Sequence, residues 1–268
     1  MSHGGDDNAT DAFAAADVFL AGANATLSPP QYYSYSYRVI ATLFCSIIFF
    51  VGVVGNVMVV LVVWRSKTMH TPTNCYLMSL AIADCMVLIS AVPSVITGFF
   101  LVKDAWVFGS VACSIFVFLN YLGINASSLS ITAFTVERYI GICHPMKAQI
   151  MCTMERANKI IVGVWIFAMA YNSPWLPLTQ MVTNEYAVVG TVSSCGFKLD
   201  RDMYTWVYMA DFILFYVVPL LLSCVMYGLI GRMLFYNAMP QEACMQRTSN
   251  GEIFYSIYLS IYLSISSI

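Results

Sequence analysis

"AFTVERYIGICHP", residues 133–145, is the stretch on which the fold turns. Glu137 and Arg138 stand side by side at the end of a long apolar run, whereas other such runs in the chain are nearly free of charge. A charged side chain at the centre of a bilayer costs about 2.5–3.5 kcal/mol on insertion scales. The depth of the pair therefore has to be fixed first.

Composition sets the solvent. The 268 residues are 60% hydrophobic and 10% charged, with mean hydropathy +0.75. Soluble domains average about 45–50% apolar and about 25% charged residues. Five apolar segments, 39–64, 75–101, 111–136, 160–178 and 203–235, are long enough to cross a bilayer, which takes roughly 20 residues. They run on without alternation, which marks helices rather than barrel strands. The expected fold is all-α, a polytopic transmembrane helix bundle whose first partner is membrane lipid.

Lysine and arginine placement orients the bundle. Arg65, Lys67, Arg138, Lys147, Arg156, Lys159, Arg232 and Arg247 fall on one side, eight of the twelve cations. Arg38, Lys103, Lys198 and Arg201 fall on the other, among many acids. The N-terminus is thus expected outside, at the plasma membrane. Residues 1–37 form an acidic stretch, with Asp6, Asp7, Asp11 and Asp17 and no cation before Arg38. This composition reads as a disordered extracellular tail. Asn8 and Asn24 begin Asn-x-Thr sequons there and are candidate glycosylation sites. Asn125 also begins such a triplet but lies inside the third segment, which rules it out.

With that orientation, Cys113 and Cys195 are the two cysteines on the oxidising side. A Cys113–Cys195 disulfide is expected to pin the outer loop before the fifth segment over the bundle. The other cysteines read as small apolar residues or reduced thiols. From Cys113 to Arg138 is 25 residues, or roughly 37 Å of helix at about 1.5 Å per residue. If Cys113 lies at the outer surface, Glu137 and Arg138 lie at the inner one.

An ordered set of motifs now resembles the rhodopsin-like (class A) G-protein-coupled receptors. The first segment has "GNVMVVLVV" with Asn56, and the second has "SLAIADCMVL" with Asp84 and then Pro93. "WVFGSVAC" precedes the third segment, which ends in "ERY", Glu137 to Tyr139. Trp165 marks the fourth, and Pro219 with Tyr227 marks the fifth. Within the class, "TPTNCYLMSLAIADCMVL" (71–88) and "YLGINASSLSITAFTVERYIGICHPMKAQ" (121–149) are similar to the thyrotropin-releasing hormone receptor group. The likeness covers about residues 38–239, the transmembrane receptor domain, as five helices of a seven-helix fold.

The resemblance implies roles for individual side chains. Tyr121 and Asn125 are four apart and share a helix face. On residues alone, the asparagine reads as interhelical glue as readily as a pocket residue. The resemblance implies that both contact a short amidated peptide. Asp84 implies a sodium site with Ser127 and Asn56, because oxygen ligands suit a hard cation. No resident cofactor is expected beyond that allosteric sodium ion. Glu137, Arg138, Tyr139, Pro145, Met146 and Tyr227 are implied in activation and in seating a heterotrimeric G protein of the Gq class. Asp211, near the outer end of the fifth segment, is a further intramembrane acid to which no role is given.

Other classes fall away. No phosphate loop, GxGxxG, GxSxG, basic run or zinc-type spacing occurs, so neither enzyme activity nor a nucleic-acid partner is expected. Cys143-His144 is a weak nucleophile–base pair, since neighbours on a helix point apart. After Phe235 the chain carries neither Cys-Trp-x-Pro nor Asn-Pro-x-x-Tyr, and residues 240–268 end in a Ser-Ile-Tyr-Leu repeat of low complexity. The expectation is a fragment truncated after the fifth helix, unable to signal by itself. The alternative reading is a non-signalling partner that dimerises with a full-length receptor.

Overall fold

The computed structural model describes residues 29–238. The proposed tail, its sequons Asn8 and Asn24, and the stretch 240–268 lie outside the described residues, apart from 29–37. Five helices are long and apolar enough to cross a membrane. We label them α1 (Tyr35–Arg65), α2 (Pro72–Phe100), α3 (Gly109–Cys143), α4 (Met154–Asn172) and α5 (Arg201–Phe212, continued through Ile213–Val217 and Val218–Ala238).

Local chemistry sets the helix starts. Ser34 caps α1 by accepting from the Tyr37 amide, and Thr71 caps α2 by accepting from Asn74. Pro72 follows at the first turn of α2, where its missing N–H costs nothing. Thr153 caps α4, with Glu155 in the first turn where the helix dipole favours an acid.

The bundle is organised around α3, which contacts α2, α4 and α5. One inner layer joins Ala83, Leu122, Ala126 and Ala168, flanked by Met86, Phe118 and Trp165. A second, toward the other end, joins Tyr76, Phe134 and Ala157. Gly123 allows the close approach of α2 and α3. A Cβ there would stand 2.6 Å from a Val87 methyl and 2.9 Å from the Ala83 carbonyl oxygen. Small residues at such contacts replace the hydrophobic drive that lipid cannot supply. α1 packs on α2 and shows much of its apolar surface, as a lipid-facing helix should.

α5 departs from uniform helix at Pro219. Pro219 has no N–H for the carbonyl of Phe215, four residues back. The ladder widens there into a π-helical stretch, Ile213–Val217, in which the Val218 amide reaches back to Ile213. The freed Phe215 carbonyl accepts from the Ser128 hydroxyl of α3.

The outer loop between α4 and α5 forms an antiparallel hairpin, β1 (Thr179–Tyr186) and β2 (Gly190–Phe197). The Cys113–Cys195 disulfide ties β2 to the outer end of α3. Trp106 of the preceding loop donates its amide to Ser193 at 2.8 Å, and Ser114 and Thr179 share a hydroxyl–hydroxyl bond. The remaining cysteines of the described residues are free thiols. Burial and the Glu137 carboxylate push the Cys152 thiol up, which keeps it protonated and inert.

Two results should follow. Mapping of the unreduced chain should recover Cys113 and Cys195 in one cross-linked peptide and alkylate the free cysteines. Replacing Cys195 by Ser should lower stability by about 2–4 kcal/mol, the usual range for a disulfide, read from thermal unfolding in detergent.

Candidate functional site

The outer half of the bundle carries a stack of aromatic rings. Tyr121 of α3 lies flat against Trp175, with ring centroids 4.7 Å apart and planes 15° from parallel. Trp175 also stacks on Tyr204 at 6.0 Å and on Tyr208 at 5.9 Å. Phe197, from the hairpin, meets Tyr204 at 4.8 Å. The Tyr204 hydroxyl accepts from the Leu199 amide, which fixes the start of α5 to the end of the hairpin. Trp175 sits in a short helical turn, Trp175–Leu178, directly after α4. Four chain segments therefore build one aromatic wall beneath the disulfide.

Asn125 lies one turn further in, 2% exposed. Its amide donates to Asn172 Oδ1 at 3.1 Å, and Asn172 donates to the Ala168 carbonyl of its own helix at 2.8 Å. Asn125 thus ties α3 to α4. The interhelical role left open on residues alone is present, and the asparagine adjoins the aromatic wall rather than standing free in it.

Deeper still, Asp84 is 7% exposed and accepts from the Ser127 hydroxyl at 3.0 Å. Asn56 does not join them by a hydrogen bond of its amide nitrogen. That amide donates to the Gly52 carbonyl of α1 at 2.9 Å. A neighbouring pair, Ser79 and Ser130, bonds at 3.0 Å, and Trp165 donates its indole N–H to Ser79 at 3.0 Å. Trp165, read from sequence as a structural marker, so joins α4 to α2 and α3.

At the inner end, α3 continues to Cys143, which puts Glu137 and Arg138 inside the helix rather than at its terminus. Consecutive residues on a helix point about 100° apart, and the two do not form an ion pair. Glu137 interacts with the Tyr76 hydroxyl of α2, and the charges of Arg138 and Arg156 also act on it. The Arg138 guanidinium lies 5.6 Å from the Phe134 ring centroid, and its buried Nε has no hydrogen-bond partner among the described residues. The salt bridge present among the described residues is Lys159–Glu155, 2.7 Å and exposed, a type that contributes little. Tyr227 of α5 lines a small cavity with Tyr76, Ser130 and Phe134, on the side of α3 that Arg138 overlies. Tyr139 packs edge-on to His144. Pro145 opens a short inner helix, Pro145–Met151, on which Met146 is 78% exposed.

Sequence reading missed Trp175, Phe197, Tyr204 and Tyr208. Each looks like an ordinary apolar or interfacial residue, and only the hairpin and the turn after α4 bring them together. Aromatic residues are hardly denser between 171 and 208 than in the chain at large, so the sequence carries no signal that singles these four out.

Polar ties inside an apolar bundle, an aromatic wall at one end and a half-buried arginine at the other are the features of this membrane-spanning helix bundle. The chain belongs to the family described as 7 transmembrane receptor (rhodopsin family), which matches residues 55–263. It is 50% identical over 217 residues to the thyrotropin-releasing hormone receptor of Gallus gallus, covering 81% of this chain and 54% of that protein. The Homo sapiens thyrotropin-releasing hormone receptor is 49% identical over the same shares. The pyrokinin-1 receptor of Drosophila melanogaster is 38% identical over 200 residues, 75% of this chain and 45% of that protein. The chain spans about half the length of these curated relatives.

The Asn125–Asn172 bond gives a direct expectation. A double-mutant cycle with Asn125→Ala and Asn172→Ala, read as thermal stability in micelles, should return a coupling of about 0.6–1.7 kcal/mol, the range of interhelical bonds in membranes. Strict additivity would mean that the two amides do not hold each other.

Proposed function

We propose that this chain supplies the first five helices of a plasma-membrane receptor for a short amidated peptide of the thyrotropin-releasing hormone type. The observation that carries it is half-identity to such receptors across the spans that contain Tyr121, Asn125 and the inner mouth. The N-terminus is outside, in keeping with the lysine and arginine distribution. Asn8 and Asn24 then stand on the glycosylated side.

In this reading the peptide lies against the wall of Tyr121, Trp175 and Tyr208, beneath the disulfide-held hairpin. Asn125, one turn from Tyr121 on α3, carries an amide able both to donate and to accept. A ligand lactam or terminal amide has the complementary groups. Asp84 and Ser127 are two oxygen donors for a sodium ion, which would supply charge compensation for the buried carboxylate. Asn56, turned to its own helix, enters such a site only after rotating its amide.

The inner end is the coupling surface. Arg138, whose Nε–H has no partner among the described residues, is free to donate to a new acceptor when the helices part, and Tyr227 and Phe134 line one adjacent cavity. Tyr139, Pro145 and Met146 shape the exposed inner loop, where Met146 offers an apolar contact to a Gq-class protein. Glu137, engaged with Tyr76, fixes α3 to α2 in the resting arrangement.

The test is a receptor in which this chain through Phe235 is joined to the corresponding later part of the Gallus gallus relative. Thyrotropin-releasing hormone should raise cytosolic calcium in cells expressing it. Asn125→Ala should weaken potency by about 10–100-fold, the cost of a lost buried polar contact. A surface-expressed chimera with no calcium response, or an unaltered potency, contradicts the reading.

A further inference from the structure

Residues 29–34 precede α1 and lie across the outer end of α2. The Gln31 carbonyl accepts from the Lys103 amide at 2.9 Å. The Tyr33 ring meets Phe99, in the last turn of α2, edge to face at 5.9 Å and stacks on Tyr37 at 5.0 Å. Tyr37, in the first turn of α1, meets the same Phe99 edge to face at 5.7 Å. Arg38 donates its Nε–H to the Tyr33 carbonyl at 2.8 Å, and its guanidinium lies 5.8 Å from the Tyr32 ring centroid. A backbone bond, an aromatic trio and a charged donor thus hold this strap. The Ser34 cap alone would start the helix, so these further contacts serve another end.

The strap grips a tight turn in the first outer loop. The Ala105 amide returns to the Val102 carbonyl at 2.9 Å, and Asp104 within the turn has a φ of 68°, a left-handed value that aspartate tolerates. Val102 is buried. The turn is held from both sides. The Lys103 amide goes to the strap, and the Trp106 amide goes to Ser193 of β2 at 2.8 Å. Two residues along β2 stands Cys195, tied to α3 by the disulfide. Trp106 is itself fixed, its indole N–H donating to the Gly109 carbonyl at 2.8 Å and its ring packing edge-on to Phe116 of α3 at 5.7 Å. One run of bonds therefore joins strap, turn and hairpin. Among the described residues, neither Gln31 nor Tyr33 has a hydrogen bond or ring contact with Tyr121, Trp175 or Tyr208. The strap reaches the outer site through the hairpin.

We propose that the strap is a brace for the hairpin. Tyr33 is its positioning residue: through Phe99 and the turn at 102–105 it holds the hairpin over the aromatic wall, and so slows the release of bound peptide. The effect on peptide rests on the peptide-receptor reading above, whereas the hold on the hairpin does not. Segments of a fold open locally, each with its own free energy below that of global unfolding. A brace changes that local opening for the hairpin. A cover that opens more often lets ligand leave faster, while the rate of encounter changes little.

The experiment compares Tyr33→Ala, Phe99→Leu and Tyr35→Ala in the chimeric receptor. The first removes the ring and keeps the backbone bond to Lys103. The second keeps an apolar side chain at the end of α2 and loses both edge contacts. Tyr35, exposed and without a ring contact among the described residues, is the control. Hydrogen exchange in micelles reads the hairpin, residues 179–197, against the transmembrane helices. Dissociation and association of labelled thyrotropin-releasing hormone read the site. Tyr33→Ala and Phe99→Leu should each speed hairpin exchange by about 3-fold or more. They should speed hormone dissociation by a similar factor and change association by less than about 2-fold. Tyr35→Ala should change neither. Unaltered hairpin exchange in either variant overturns the proposal, as does exchange that rises equally in all five helices, which would mark a merely structural role. A loosened hairpin with an unaltered dissociation rate also overturns it. If the unmodified, surface-expressed receptor binds no hormone while the hairpin responds as expected, the peptide-receptor reading fails and the brace stands.

Discussion

In a bilayer, burial of apolar surface does not drive one helix against another, and every polar group without a partner is costly. The rest of the structure depends on how α3 meets that constraint. Almost each turn of its inner length sends a polar side chain into a neighbour. Ser114 meets Thr179 of the hairpin, and Asn125 meets Asn172 of α4. Ser127 meets Asp84 of α2, and Ser128 meets the Phe215 carbonyl of α5. Ser130 meets Ser79, which also takes the Trp165 indole. Glu137 meets Tyr76. α3 is thus a hydrogen-bonded spine, and its sequence "NASSLS" is the residue pattern that makes it one.

The Ser128 contact joins two of these requirements. Pro219 removes an amide from α5 and leaves a carbonyl that lipid cannot solvate. Ser128 supplies the donor, and the π-helical stretch brings the carbonyl to it. The same local change turns Phe215 inward, where it packs edge-on to Tyr171, the residue that holds Asp211. A backbone defect in α5 is in this way converted into the geometry of the outer site.

The five spans were legible in the sequence because length and continuous apolarity leave little choice in lipid. The disulfide was legible because orientation left two cysteines on one side. The resting arrangement of Glu137 was not. Glu137 interacts with Tyr76 of the neighbouring helix as well as with the charges of Arg138 and Arg156, a set that only the fold brings together. The hairpin was also hidden. Its turn, Ala187-Val188-Val189, has no Asn-Gly or Asp-Gly signature, and Val188 adopts a positive φ of 74° without glycine. Without the hairpin, the aromatic wall could not be foreseen. Asn125 shows a subtler limit. Its spacing from Tyr121 put it on the right face, yet only the fold reveals Asn172 as its partner.

The central claim is that the peptide rests on the wall formed by Tyr121, Trp175 and Tyr208. Photo-crosslinking tests it most directly. A benzophenone amino acid placed in turn at positions 121, 175 and 208 of the chimeric receptor should capture labelled thyrotropin-releasing hormone, with capture lost in excess unlabelled peptide. The same group in place of Trp206, on the opposite, 77% exposed side of α5, should capture none. Labelling at position 206 equal to that at the wall, or no capture at any wall position despite specific binding, would contradict the account.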